Sequence, residues 1–361
     1  MRILSTISGL LLTSLAVVSS QAQQQPTQPQ TPDYPVMVRQ AIEKSLPLLQ
    51  KSAASFVSKV RCVSCHHQSL PSMTYAVVRE HGFKIDEKAA KVQTEAVYGL
   101  FASSKEILIQ AQTQPSAEHI LDTITVDPAA TVSYFGAGLA ADKWKPDAIT
   151  EGMALYLAKK QSADGSWPLL ESRPPLQSSE FTTTALSVRV LQAYAPSSQA
   201  NITAERIARA KNWLRTTNAK TNEDRAFKIF GLRWTGATKE EIRALVTDLL
   251  SKQLDDGGWA QLDNMGSDAY ATGQALMALN ASGDIPISHS AFNRGYKYLL
   301  KTQNADGSWL VEARTIPLQV FVDTAFPHGK HQFLSISATC WATMALALTV
   351  DPKPAKVALA R

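Results

Sequence analysis

Three short turns of one pattern limit what this chain can fold into. Gln161-Ser162-Ala163-Asp164-Gly165-Ser166-Trp167 returns as Gln303-Asn304-Ala305-Asp306-Gly307-Ser308-Trp309, and a third copy reads Gln253-Leu254-Asp255-Asp256-Gly257-Gly258-Trp259. Self-similarity at a period of tens of residues is the signature of a repeat architecture. Trp259 and Trp309 stand 50 positions apart, and Trp167 and Trp259 stand 92 apart. The second spacing is close to two periods, so one degenerate unit is expected between them.

Each turn lies between two helical patterns. The segment before it is amphipathic and the segment after it is apolar nearly all round, which puts the second helix inside. Asp and Gly allow the left-handed backbone that ends a helix and reverses the chain. The Gln can bond exposed backbone groups, and the Trp is a large apolar plate that pins the turn. This template gives six outer–inner pairs: 36–59 with 70–81, 86–112 with 130–141, 147–160 with 180–194, 203–216 with 223–234, 239–252 with 267–279, and 290–302 with 335–349. The fourth pair lacks the Asp-Gly-x-Trp turn. The fold class expected is all-α.

The Gln-x-x-Asp-Gly-x-Trp turns resemble the QW repeats of squalene-hopene and oxidosqualene cyclases. The hairpin pattern is similar to the wider terpenoid cyclase and protein prenyltransferase superfamily, over roughly 34–350. The resemblance implies an (α/α)6 toroid, with six hairpins making one complete ring, and an apolar small molecule in its cavity. No Asp-x-Asp-Asp motif, with which squalene-hopene cyclases protonate their substrate, occurs in the chain. Leu254-Asp255-Asp256 is preceded by Gln253 and belongs to a turn. Cys340 has no surrounding Asp-x-Cys pattern of the prenyltransferase zinc site.

The first 22 residues read as a secretory signal: Arg2, an apolar run from Ile7 to Val18, and small residues at Ser20-Gln21-Ala22. Residues 23–35 are rich in Gln and Pro and read as a linker, 36–350 as the toroid, and 351–361 as a tail. A periplasmic or secreted location follows. The apolar run is too short for a membrane span, and no later stretch approaches one. Net charge is +5 without a dense Lys/Arg cluster, so no nucleic-acid groove is expected.

Arg61-Cys62-Val63-Ser64-Cys65-His66-His67-Gln68 contains Cys-x-x-Cys-His. This is the pattern of c-type haem attachment, in which Cys62 and Cys65 would form thioethers to the porphyrin and His66 would ligate the iron. The segment looks like that of a c-type cytochrome set into the first hairpin turn. The other readings are a zinc site on Cys62, Cys65, His66 and His67, or a Cys62–Cys65 disulfide or redox dithiol.

His328 and His331, in Phe326-Pro327-His328-Gly329-Lys330-His331, precede the last inner helix. In a closed ring the sixth hairpin neighbours the first. One of the two is therefore offered as distal ligand or as a partner supporting the haem site. Met73 and His81 lie on the first inner helix, and His119 lies in the second connection. Asp122, Asp127, Glu180, Asp268 and Asp323 are the carboxylates near inner-helix starts, where capping competes with an acid/base role. Tyr75, Tyr134, Phe135, Phe181, Tyr270 and Trp341 are inner-helix aromatics, either cavity lining or core. The leading function is an exported c-type haem protein in electron transfer, with a redox partner protein. The alternatives are an enzyme acting on an apolar, terpenoid-like substrate, or a scaffold with a zinc-stapled or disulfide-closed loop.

Overall fold

The computed structural model describes residues 33–315 and 321–352. The expected signal peptide, most of the linker and most of the tail lie outside the described residues. Among those described are fourteen α-helices and two isolated β-bridges. The inner helices are α2 (Leu70–Glu80), α6 (Pro128–Ala141), α8 (Glu180–Tyr194), α10 (Asn222–Trp234), α12 (Ala269–Ser282) and α14 (Gln332–Ala347). Each packs on the next, and α14 packs back on α2, which closes the ring. Outside it stand α1 (Tyr34–Val60), α3 (Glu87–Ala102), α7 (Ala148–Lys159), α9 (Ala200–Thr216), α11 (Lys239–Ser251) and α13 (Ser290–Thr302), each against the inner helix of its own hairpin. This is the all-α toroid of six hairpins.

The burial pattern explains the two rings. In α13 the buried residues are Ala291, Phe292, Gly295 and Leu299, a single stripe. In α14 every residue from Leu334 to Ala347 is buried, because one side meets the outer helices and the others meet ring neighbours.

The repeated turns weld three helices at once. The indole Nε1 of Trp167, Trp259 and Trp309 donates to Leu157 O, Leu249 O and Leu299 O at 2.7, 2.8 and 2.9 Å, in the last turn of the preceding outer helix. Their backbone N–H groups donate to Thr184, Thr272 and Thr339 on the following inner helix. The amides of Gln161, Gln253 and Gln303 reach the carbonyls of Arg206, Ala291 and Ala41 on the next outer helix. All three indoles are fully buried. A hydrogen bond that satisfies a buried carbonyl contributes about 1 kcal/mol net, and each indole adds its apolar burial.

The second hairpin departs from expectation. The outer helix expected over 86–112 ends at Ala102, where Ser103 and Ser104 break it, and α4 (Lys105–Gln110) follows. A further helix, α5 (Pro115–Thr125), precedes α6; Pro115 starts it, and Ala117, Leu121 and Thr125 form its buried stripe. The pair α4–α5 packs against α7 and α6.

Candidate functional site

The Cys-x-x-Cys-His segment joins α1 to α2 on the rim formed by the N-terminal ends of the inner helices. Arg61 adopts φ 54°, which ends α1. The Ser64 side chain accepts from His67 N and caps a single wide turn, Cys65–Ser69, that runs straight into α2. Cys62 is exposed, Cys65 half-buried and Cys340 buried, and all three are free thiols, so the disulfide reading is not what the structure shows. Burial pushes the Cys65 thiol up to about 11.

Both histidines of the loop are neutral. Burial takes His66 down to about 3, and burial together with the adjoining His66 takes His67 well below its ordinary value. His66 packs against Phe56 and Phe333 at 5.6 and 5.0 Å between centroids, and His67 stacks on Phe56 at 4.5 Å. Their hydrogen bonds assign the tautomers. Thr324 Oγ1 donates to Gln332 Oε1 at 2.6 Å, so it accepts from His67 Nε2–H at 3.0 Å. His67 Nδ1 is then bare and accepts from His66 Nδ1–H. That leaves His66 Nε2 as an unprotonated lone pair, the state in which imidazole binds a metal.

The sixth hairpin reaches this loop, as ring closure requires, through Thr324 and Phe333. His328 Nε2 pairs with Ser308 Oγ at 2.7 Å, and His331 Nδ1 accepts from Ala313 N at 3.0 Å. Among the described residues no three His, Cys, Asp or Glu side chains converge to hold a metal ion. Both ring nitrogens of His67 are engaged, by His66 and Thr324. For a haem, the free Nε2 of His66 and the exposed Cys62 fit the donor chemistry. Cys65 is the less ready partner, since it lies inward within electrostatic reach of Tyr134 and Tyr270.

A second feature occupies the ring. A cavity of about 370 Å³ opens on the opposite rim, where the inner helices end. Its lining is apolar and aromatic: Met73, Tyr134, Phe227, Phe230, Trp234, Met277, Trp341 and Met344 are among its walls. Below Phe227, one turn back along α10, is Glu223. It is 4% exposed; its Oε1 accepts from Thr182 Oγ1 at 2.8 Å and its Oε2 from Tyr270 OH at 3.0 Å. Burial outweighs these bonds and raises it to about 8, so the carboxyl is largely protonated at neutral pH. Gln274 lines a small recess beside Glu223.

Glu223 was not among the carboxylates singled out from sequence. The available signal was Asn222-Glu223-Asp224 at the start of an inner helix that, like α2 and α6, follows no Asp-Gly-x-Trp turn. Thr221 and Asp224 complete the capping box there, so Glu223 is not needed as a cap. Four of the five carboxylates near inner-helix starts cap a helix or pair with a neighbour. Asp127 and Asp268 cap α6 and α12, and burial raises Asp268 to about 6. Asp122 pairs with Lys160, Asp323 accepts from Ala325 N, and Glu180 is exposed. Of the aromatics, Tyr134 and Trp341 line the cavity and Tyr270 meets Glu223, while Phe135 and Phe181 pack outward on Phe101 and Trp213. Met73 lines the cavity, His81 bonds Val350 O, and His119 is exposed.

The fold has known counterparts among solved structures. The fold matches that of the type II terpene cyclases. The type II terpene cyclase MstE from Scytonema aligns with a TM-score of 0.52 at 14% identity, covering 86% of this chain and 98% of that one. A variant of it in complex with merosterolic acid A, its product, aligns at 0.53, again at 14% identity, over 88% and 98%. A squalene–hopene cyclase of Bradyrhizobium diazoefficiens is 35% identical over 115 residues, which cover 27% of this chain and 16% of that protein. The chain thus matches a small part of that relative's length. No protein-family model matches the chain.

Proposed function

We propose that the protein is an enzyme that takes an apolar, isoprenoid-type molecule into the ring and moves a proton at Glu223. The observation that carries this is a buried, protonated carboxyl beneath an aromatic cavity. A group titrating near 8 suits general acid–base transfer near neutral pH. The carboxyl would give its proton to the ligand and recover one from it, which balances an isomerisation or ring closure without a co-reactant. The comparisons support the substrate class: a variant of MstE is described in complex with geranylgeranyl dihydroxybenzoate, its substrate. The test is incubation with farnesol, geranylgeraniol and squalene in D₂O, read by mass spectrometry. An isomer carrying deuterium, made by the native protein and not by Glu223→Gln, is expected. Recovery of all three unchanged overturns the reading.

A second reading concerns the loop, and the unprotonated His66 Nε2 beside two free thiols favours it. Haem c attached at Cys62 and Cys65 would supply one-electron transfer, with His66 as its ligand, in an exported protein. The loop and the cavity mouth occupy opposite rims, so the two readings are compatible. Expression with haem c maturation machinery should give a c-type pyridine haemochrome band that disappears in Cys62→Ala/Cys65→Ala. Protein made that way without the band removes this reading.

A further inference from the structure

The cavity has chemically distinct ends. Its deep end is Tyr134 and Phe227, and its mouth carries Lys143 and Arg189. Both cations are exposed, and among the described residues neither takes part in an ion pair. Arg189 lies over the Trp234 ring at 5.4 Å and donates to Gln192 Oε1 at 3.3 Å, which holds the guanidinium at the rim. Glu80 is the carboxylate in the cavity lining. Two cations against one carboxylate leave the mouth positive. Inside, Trp341 is 6% exposed and its Nε1–H has no partner. Buried indole N–H groups ordinarily find an acceptor, so a donor left open in the wall points to an occupant.

We propose that the ring takes a single-chain amphipath tail first, with an anionic head, phosphate or carboxylate, held between Lys143 and Arg189. This rests on the reading of the cavity as an isoprenoid site and adds the head group to it. Burying the chain is favourable by about 25 cal/mol per Å². Burying the charge is not, so the head stays at the mouth, where the guanidinium fork matches a carboxylate or phosphate. Glu223 and Trp234 lie eleven residues apart on α10, about 16 Å at 1.5 Å per residue. The head is therefore held far from the Glu223 carboxyl, and the chain is the part that reaches toward it.

Calorimetric titration with farnesyl monophosphate, farnesoic acid and farnesol tests the assignment. Either anion should bind at least tenfold tighter than the alcohol at low salt, with the gap narrowing as salt rises. Which anion is preferred names the head. Lys143→Gln combined with Arg189→Gln should bring the anions to the affinity of farnesol, with thermal melting confirming the fold. Lys143→Gln alone, at an exposed site, serves as the second variant and should lose part of the gap. Equal binding of all three overturns the head-group assignment while the cavity reading stands. Binding of none overturns the cavity reading itself.

Discussion

The side-chain amide of Gln303 donates to the backbone carbonyl of Ala41 at 2.9 Å, across 262 positions. It is the same bond that Gln161 and Gln253 make to the next outer helix, here used to join the last hairpin to the first. Beside it Gly307 sits at φ +92°, and a Cβ placed there would stand 2.8 Å from the Lys44 carbonyl carbon and oxygen. Gly307→Ala adds a strained φ to a backbone clash and should cost roughly 2 kcal/mol or more. Gln303→Ala removes one shared hydrogen-bond donor and should cost about 1 kcal/mol. Urea unfolding measures both. A Gly307→Ala variant as stable as the native chain contradicts the closure described.

The toroid was legible because its signals are local. A Trp after Asp-Gly marks the end of an outer helix, and the change from a striped to an all-apolar pattern marks the inner one. Five of the six expected outer helices match observed helices to within a few residues, the second being the exception, where Ser103 and Ser104 interrupt an otherwise continuous pattern. The site was less legible because its contacts are remote. Thr182, Glu223 and Tyr270 sit on three different helices, and His67 meets Thr324 across 257 positions. Periodicity places residues on faces, but it cannot say which faces meet at one point.

Glu223 makes stability depend on pH in a defined direction. Its folded value of about 8 lies above the ordinary 4.5, so between those values the folded state binds more protons than the unfolded one. Its contribution is full below about pH 4.5 and is lost as pH rises toward 8, at up to about 1.4 kcal/mol per pH unit. Glu223→Gln should remove that slope. Urea midpoints of both proteins at pH 5, 6, 7 and 8 decide this. Parallel curves rule out a raised carboxyl at this position.

The Thr324 hydroxyl fixes the tautomers of the loop histidines, so Thr324→Val should leave His67 Nε2–H without an acceptor. A buried donor stripped of its partner costs about 1–3 kcal/mol. In the native protein, long-range proton–nitrogen NMR at pH 7 should show His66 protonated on Nδ1 and bare on Nε2. Since His66 is held down to about 3, the pattern should persist at pH 5. A charged His66 at pH 5, or a proton on its Nε2 at pH 7, breaks the hydrogen-bond chain described above.

The three thiols should react in an order set by exposure and burial. Cys62 is exposed, whereas burial raises Cys65 to about 11 and Cys340 to about 12. The thiolate is the nucleophile, so both are poor ones at pH 7.5. With N-ethylmaleimide, protein made without haem maturation should take up one equivalent quickly, at Cys62, and the other two only in urea. Protein made with the maturation machinery should lose the fast equivalent if Cys62 has become a thioether, and in urea only Cys340 should then react. Fast labelling at Cys62 that is unchanged between the two preparations would mean that the loop carries no haem.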